Sequence, residues 1–259
     1  MTPKRDPREP REVRARLVAW IADRVRESGS DGAVFGLSGG VDSAVVCGLA
    51  AEALGAERCL GVILPIESAP DDARLAREVA RKFGVATAEV RLEDAFDALL
   101  DALRWAASGA DLPPAGAERE RLARMNVKPR LRMASLYYFA NTLGRLVVGT
   151  GNAAEFAVGY FTKYGDGGAD IFPLADLVKS EVWALARELG VPAEIIERPP
   201  TAGLEPGQTD EGEMGITYER LDAFLLRGTS GDAAVDELIR GRIAASRHKV
   251  EPAPLARLD

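Results

Sequence analysis

Four short apolar runs decide what this chain can become: residues 33–37, 59–64, 85–90 and 146–149. Each reads as a strand, the first two buried, and helical spacing follows each one, over residues 41–54, 71–83, 93–105 and 153–161. Strands and helices in that alternation make parallel βαβ units with right-handed crossovers. The expected fold class is α/β: an open, doubly wound, mostly parallel sheet with helices on both faces, Rossmann-like in outline.

The remaining segments complete that expectation. Val13, Leu17, Ile21 and Val25 recur every four residues, which predicts an amphipathic helix over 10–28 stopped by the Ser/Gly/Asp run at 28–32. Residues 106–125, with Pro113-Pro114 and Gly116, read as a solvated loop leading into a helix over 130–144. A helix over 178–189 stops at Gly190, a long Pro/Gly/acid loop covers 199–215, and helices over 218–226 and 233–245 close the chain. No repeat or linker interrupts it, so one domain over 1–259 with a mobile loop or two is expected.

Composition excludes some partners. A net charge of −7 argues against a general nucleic-acid binder, which would show a basic face. No apolar run approaches the roughly 20 residues that cross a bilayer, and the charged first residues hold no apolar signal core. A cytoplasmic protein with no membrane partner is expected. Cys47 and Cys59 have no metal-ligand spacing and fit two small buried residues.

Between the first strand and its helix stands Ser38-Gly39-Gly40-Val41-Asp42-Ser43. Glycines there let backbone N–H groups approach an anion, and the helix N-terminus adds partial positive charge. The Ser38 and Ser43 hydroxyls can donate as well. Asp42 would repel phosphate by itself; beside Mg²⁺, which takes carboxylate and phosphate oxygens together, it makes sense. The string is neither a Walker A loop nor a spaced dinucleotide fingerprint. A loop that grips pyrophosphate favours attack at the α-phosphorus of ATP, with an adenylate as the product. A capped Ser/Gly turn would use the same residue types.

Glu155 lies one turn past the fourth strand. Ligands in such sheets collect beyond the carboxyl ends of the strands, so Asp42 and Glu155 can converge on one Mg²⁺. Glu155 also fits a first-turn acid that complements its helix dipole. Downstream, residues 160–170 mix aromatics, Lys163, Asp166, Asp170 and glycines, which suits a loop touching a ligand better than a core helix.

These segments together resemble the ammonia-dependent NAD synthetases of the adenine nucleotide α-hydrolase-like, ATP-pyrophosphatase group. Residues 38–43, 126–133, 149–155, 161–170, 200–204, 208–211, 215–218 and 248–249 carry the resemblance. The loop belongs to the wider group; Thr162-Lys163-Tyr164-Gly165-Asp166 and His248-Lys249 are more particular. The resemblance implies a carbon–nitrogen ligase that amidates nicotinic acid adenine dinucleotide (deamido-NAD) with ammonia and ATP, giving NAD, AMP and pyrophosphate. It implies that Gly36, Leu37, Ser38, Gly39, Gly40, Val41, Asp42 and Ser43 hold ATP, together with Thr150, Lys179 and Thr201. It assigns Mg²⁺ to Asp42 and Glu155, and the dinucleotide to Arg130, Lys163, Asp170, His248 and Lys249. It also implies a homodimer whose dinucleotide site lies near the subunit interface, and a 199–215 loop that orders over the site.

The residue types suit that chemistry. Adenylation gives a carboxylate a good leaving group, and Mg²⁺ with lysines such as Lys179 neutralises the charge that builds on phosphorus and pyrophosphate. No protein nucleophile is needed. Asp166 is expected to hold or deprotonate the incoming ammonium. Gly151-Asn152 departs from the acid and histidine that many members carry there, and the chain has no glutaminase segment. Two other readings stand beside this one: another adenylating amidase of the same group, and a non-catalytic nucleotide-binding sensor.

Overall fold

The computed structural model describes residues 5–110, 116–205 and 207–256. Strands β1 (Ala33–Gly36), β2 (Cys59–Ile63), β3 (Ala86–Glu89) and β4 (Leu146–Val147) form one sheet in the order β3-β2-β1-β4. All pairs are parallel, with Phe35 opposite Gly61, Ala33 opposite Leu146 and Gly61 opposite Thr87. A parallel bridge from Val148 to Ile171 carries the pairing past β4.

β1 and β2 are nearly continuous in apolar residues because both faces of the sheet are covered there, whereas the edge strand β3 is largely exposed. Phe35, Cys59 and Ile63 pack with α1 (Pro10–Ser28), α2 (Val41–Leu54), α3 (Pro70–Phe83) and α7 (Lys179–Glu188). Val34, Val62 and Val147 point the other way, against α4 (Glu93–Ser108) and α5 (Ala117–Leu143). Cys47 and Cys59 are buried free thiols, and burial pushes both up, Cys47 to about 12. A third apolar cluster joins α6 (Ala153–Val158), α10 (Tyr218–Arg227) and α11 (Ala233–Val250) through Val158, Leu221 and Ile239. No helix among the described residues is long and apolar enough to cross a membrane.

Strand order places the site. From β1 the chain winds to β2 and β3 on one side, and β4 then joins on the other. The carboxyl ends of β1 and β4 flank the switch point, where an open α/β sheet leaves a crevice.

Three boundaries differ from those expected. Helix α5 begins at Ala117, within the segment expected to be a loop followed by a helix start, and runs unbroken through Pro129 to Leu143. A proline removes one N–H and argues against a helix interior. Here tertiary contacts outweigh it: Met125, Lys128 and Pro129 are all buried, and Lys128 pairs with Glu67 at 2.7 Å. Pro113-Pro114 lie outside the described residues. The 199–215 segment contains the short helix α9 (Asp210–Met214), capped by Thr209. Helix α8 (Ala193–Ile196) precedes it. Finally, α11 runs to Val250, so His248 and Lys249 occupy its last turn, where cations complement the helix dipole.

Candidate active site

The phosphate loop begins where β1 ends. Leu37 N–H still donates to the Val62 carbonyl at 2.9 Å, and the chain then leaves the sheet. The serines hold the turn from inside: Ser38 and Ser43 hydroxyls lie 3.2 Å apart, and Ser43 Oγ donates to the Gly40 carbonyl at 2.9 Å. Gly39 has φ +81°, and a Cβ there would sit 2.6 Å from the Asp72 carbonyl oxygen. Only glycine fits both constraints. The N-cap of α2 is Gly40, which supplies no side-chain cap, so the first-turn N–H groups are left for a ligand.

Asp42 is the centre of the polar cluster beside that turn. Its Oδ2 lies 2.6 Å from Lys179 Nζ, and its Oδ1 accepts from Asn152 Nδ2 at 2.9 Å. Asn152 is also the N-cap of α6, and its own N–H donates to Glu155 Oε2 at 3.0 Å. One residue therefore binds both acids of the expected pair. Glu155 is a capping-box acid, which is the helix-terminal role expected of it. Lys179 is 1% exposed and lies 5.0 Å from the centre of the Tyr218 ring. It opens α7, whose first N–H groups are capped by Asp222, from Lys179 N at 3.1 Å and Ser180 N at 2.7 Å.

Electrostatics follow from this crowding. Burial, then the nearby Asp42 carboxylate, pushes Glu155 up to about 8, against the opposing pull of Lys179. Burial lowers Lys179, yet Asp42 and Glu155 outweigh it and the net direction is up. A third acid, Asp210, is raised mainly by burial. Its Oδ2 accepts from Tyr218 OH at 2.9 Å, while its buried Oδ1 has no partner.

The raised Glu155 has a consequence for the metal-free protein. Up to about pH 8 the folded state keeps a proton that the unfolded chain loses in the ordinary glutamate range. Stability should therefore fall as pH rises through that window and level off above it. Urea unfolding at several pH values with a chelator present measures this, and Glu155→Gln should flatten the slope.

These groups line one cavity of about 1110 Å³. Gly36, Leu37, Ser38, Gly40, Val41, Asp42, Ser43, Thr150, Glu155, Lys179 and Thr201 all face it, as do Asp166 and Lys249. Asp166 Oδ1 accepts from Thr162 N at 2.9 Å. Asp166 is an exposed residue of the cavity wall, and desolvation by the protein around its carboxyl raises its pKa, against the Thr162 N–H and the cations Lys249 and Arg132. The other residues expected at the dinucleotide lie outside this lining. Arg130 is exposed and donates to the Lys163 carbonyl at 3.3 Å. Lys163 Nζ donates to the His248 carbonyl, and His248 is exposed. Asp170 accepts from Tyr137 OH at 3.0 Å and from Val147 N at 2.7 Å.

The donor set suits Mg²⁺. Two carboxylates are held by one asparagine at the phosphate loop, and a buried carboxylate oxygen stands unpartnered in the same cavity wall. In the sequence Asn152 stands out only as a departure from the family pattern and Asp210 only as part of the 208–211 segment, neither with a role, and Asp222 does not stand out. Asn-x-x-Glu at 152–155 is a capping-box pattern that signals the first; nothing local signals the other two.

Comparison with known proteins follows the same outline. The family described as NAD synthase matches residues 13–253. An NH(3)-dependent NAD(+) synthetase from Carboxydothermus hydrogenoformans is 45% identical over 92% of this chain and 94% of that protein. A solved structure of an NMN synthetase from Francisella tularensis is 36% identical, with TM-score 0.87, over 97% of this chain and 100% of that one. An NAD+ synthetase structure from Burkholderia pseudomallei is 35% identical, with TM-score 0.74, over 94% and 91%.

Proposed function

The chain belongs to the NAD synthase family, and from that premise we propose that it amidates deamido-NAD with ammonia, using ATP and releasing AMP and pyrophosphate. The observation that carries this reading is the junction of a phosphate loop with the Asp42–Lys179 pair at the sheet's switch point.

The reaction divides into two steps. The nicotinate carboxylate attacks the α-phosphorus of ATP, and pyrophosphate leaves into the first-turn N–H groups of α2. Ammonia then attacks the acyl carbon, and AMP departs with the electron pair of the acyl–oxygen bond. Mg²⁺ held by Asp42 and Glu155 would offset charge on the phosphates. Lys179 adds a fixed positive charge at the same place, buried where it acts strongly. Water must be kept from the acyl adenylate. The 199–209 stretch is suited to that: Lys128 Nζ donates to the Leu204 carbonyl, and Arg121 pairs with Glu205 at 2.5 Å.

Asp166 is placed to receive the proton that the incoming ammonium must lose. Its raised pKa brings it closer to that task. Asp166→Asn should lower amidation by at least about 100-fold and shift the pH profile. Unchanged amidation at saturating ammonia with an unshifted profile would remove Asp166 from the mechanism.

Arg130, Lys163, Asp170 and His248 lie outside the cavity lining. A homodimer would enclose them, with a partner subunit completing the far half of the dinucleotide site. A cytoplasmic, one-domain enzyme is part of the same reading. The likeness to an NMN synthetase favours one second reading, in which the acid is nicotinic acid mononucleotide. The test is pyrophosphate release with each acid, and with ammonium against glutamine. Release that requires deamido-NAD and ammonium supports the proposal; release with the mononucleotide alone supports the second reading. No release with either acid favours a nucleotide-binding sensor.

A further inference from the structure

Arg132 is a half-buried cation without a counterion among the described residues. It extends from α5 into the cavity wall, and among the described residues it forms no ion pair. Its Nε donates to the Leu64 carbonyl at 3.0 Å and its Nη2 to Ser68 Oγ at 3.3 Å. Both partners are neutral. Nη1 makes no hydrogen bond among the described residues, and it is not sealed from solvent. The group is thus anchored at two corners and open at the third.

Burial lowers the guanidinium's pKa, and the carboxylates of Asp166, Asp72 and Glu93 act on it only at longer range. A charge held this way in a protein of net charge −7 is costly unless a ligand completes it. A fixed guanidinium with free N–H donors matches phosphoryl oxygens well.

Its place in the sheet indicates which phosphoryl group. β1 and β2 are parallel neighbours, so Leu64, just past the end of β2, lies at the same sheet edge as the phosphate loop that follows β1. Leu64 is the residue that Arg132 grips. Asp72, the second of those longer-range acids, carries the carbonyl packed against Gly39. Two residues earlier on the same helix, Arg130 turns outward, so Arg132 is the arginine of this segment that meets the ATP side of the cavity.

We propose that Arg132 binds a phosphoryl oxygen of ATP and so positions the nucleotide for adenylation. The assignment rests on the ATP-dependent reading above, but its test needs no turnover. Equilibrium binding of a non-hydrolysable ATP analogue, of adenosine and of deamido-NAD would be measured by calorimetry on the wild type, Arg132→Gln and Arg132→Lys, with thermal unfolding as a check on folding. Arg132→Gln should weaken the analogue by about 10- to 100-fold, with a shallower salt dependence, and leave adenosine and deamido-NAD within about twofold. Arg132→Lys keeps the charge and should recover part of the loss. Equal weakening of adenosine and the analogue would overturn the proposal in favour of a purely structural brace. Weakening of deamido-NAD alone would overturn it in favour of the dinucleotide's phosphates. If the wild type bound the analogue but never amidated an acid, the functional reading would fail while the Arg132 assignment stood.

Discussion

Lys179→Met should lower kcat about 100- to 1000-fold while raising the KM for ATP far less. Methionine matches lysine in length and removes only the charge, so the pocket next to Tyr218 stays filled. The phosphate loop keeps its backbone donors, because Ser38, Gly40 and Ser43 hold it without Lys179. Ground-state binding therefore survives, whereas the charge that forms as pyrophosphate leaves loses its fixed partner. Lys179→Arg should not rescue, since the side chain is 1% exposed and a planar guanidinium has no room to turn. Pyrophosphate release under saturating substrates measures both variants. A KM effect without a kcat effect would mean that Lys179 only binds ATP.

Asp42→Asn should be nearly as damaging, for a different reason. The amide keeps the volume but gives up the anionic charge that faces Lys179 and that would help to hold Mg²⁺. Rate at ordinary Mg²⁺ should fall about 100-fold or more, with partial recovery at high Mg²⁺. Two further changes should accompany it. Glu155 loses its nearest like charge, so its pKa drops from about 8. Lys179 loses its principal counter-charge, so its pKa falls as well. The Asp42→Asn/Lys179→Met double variant should be much less than additive, because the two side chains form one unit. Additive losses would separate the metal role of Asp42 from the charge role of Lys179.

The parts of this architecture legible in the sequence were those set by local pattern. The four strand runs, the glycine stops and the loop at 38–43 all follow from residue order alone, although the third run forms a largely exposed edge strand. The strand order β3-β2-β1-β4 does not, yet it is what brings Asp42 beside Glu155. The first half of α5 was hidden by Pro129, whose local cost is outweighed by burial of Met125 and Lys128. Asp210 and Asp222 were hidden differently. Each sits on a short or unremarkable helix; Asp222 caps the N–H of Lys179, far away in sequence, and Asp210 is held by Tyr218 from the following helix. Arg130 and Arg132 differ by two positions, and only the direction of their side chains separates the one in the cavity wall from the one outside it.

The central claim is adenylation of a carboxylate at its own oxygen. Deamido-NAD labelled with ¹⁸O in the nicotinate carboxylate would be turned over with ATP and ammonium, and the nucleotide product analysed by mass spectrometry. Attack at the α-phosphorus predicts one labelled oxygen in AMP and none in pyrophosphate. Unlabelled AMP, or label in inorganic phosphate alongside ADP, would contradict the account.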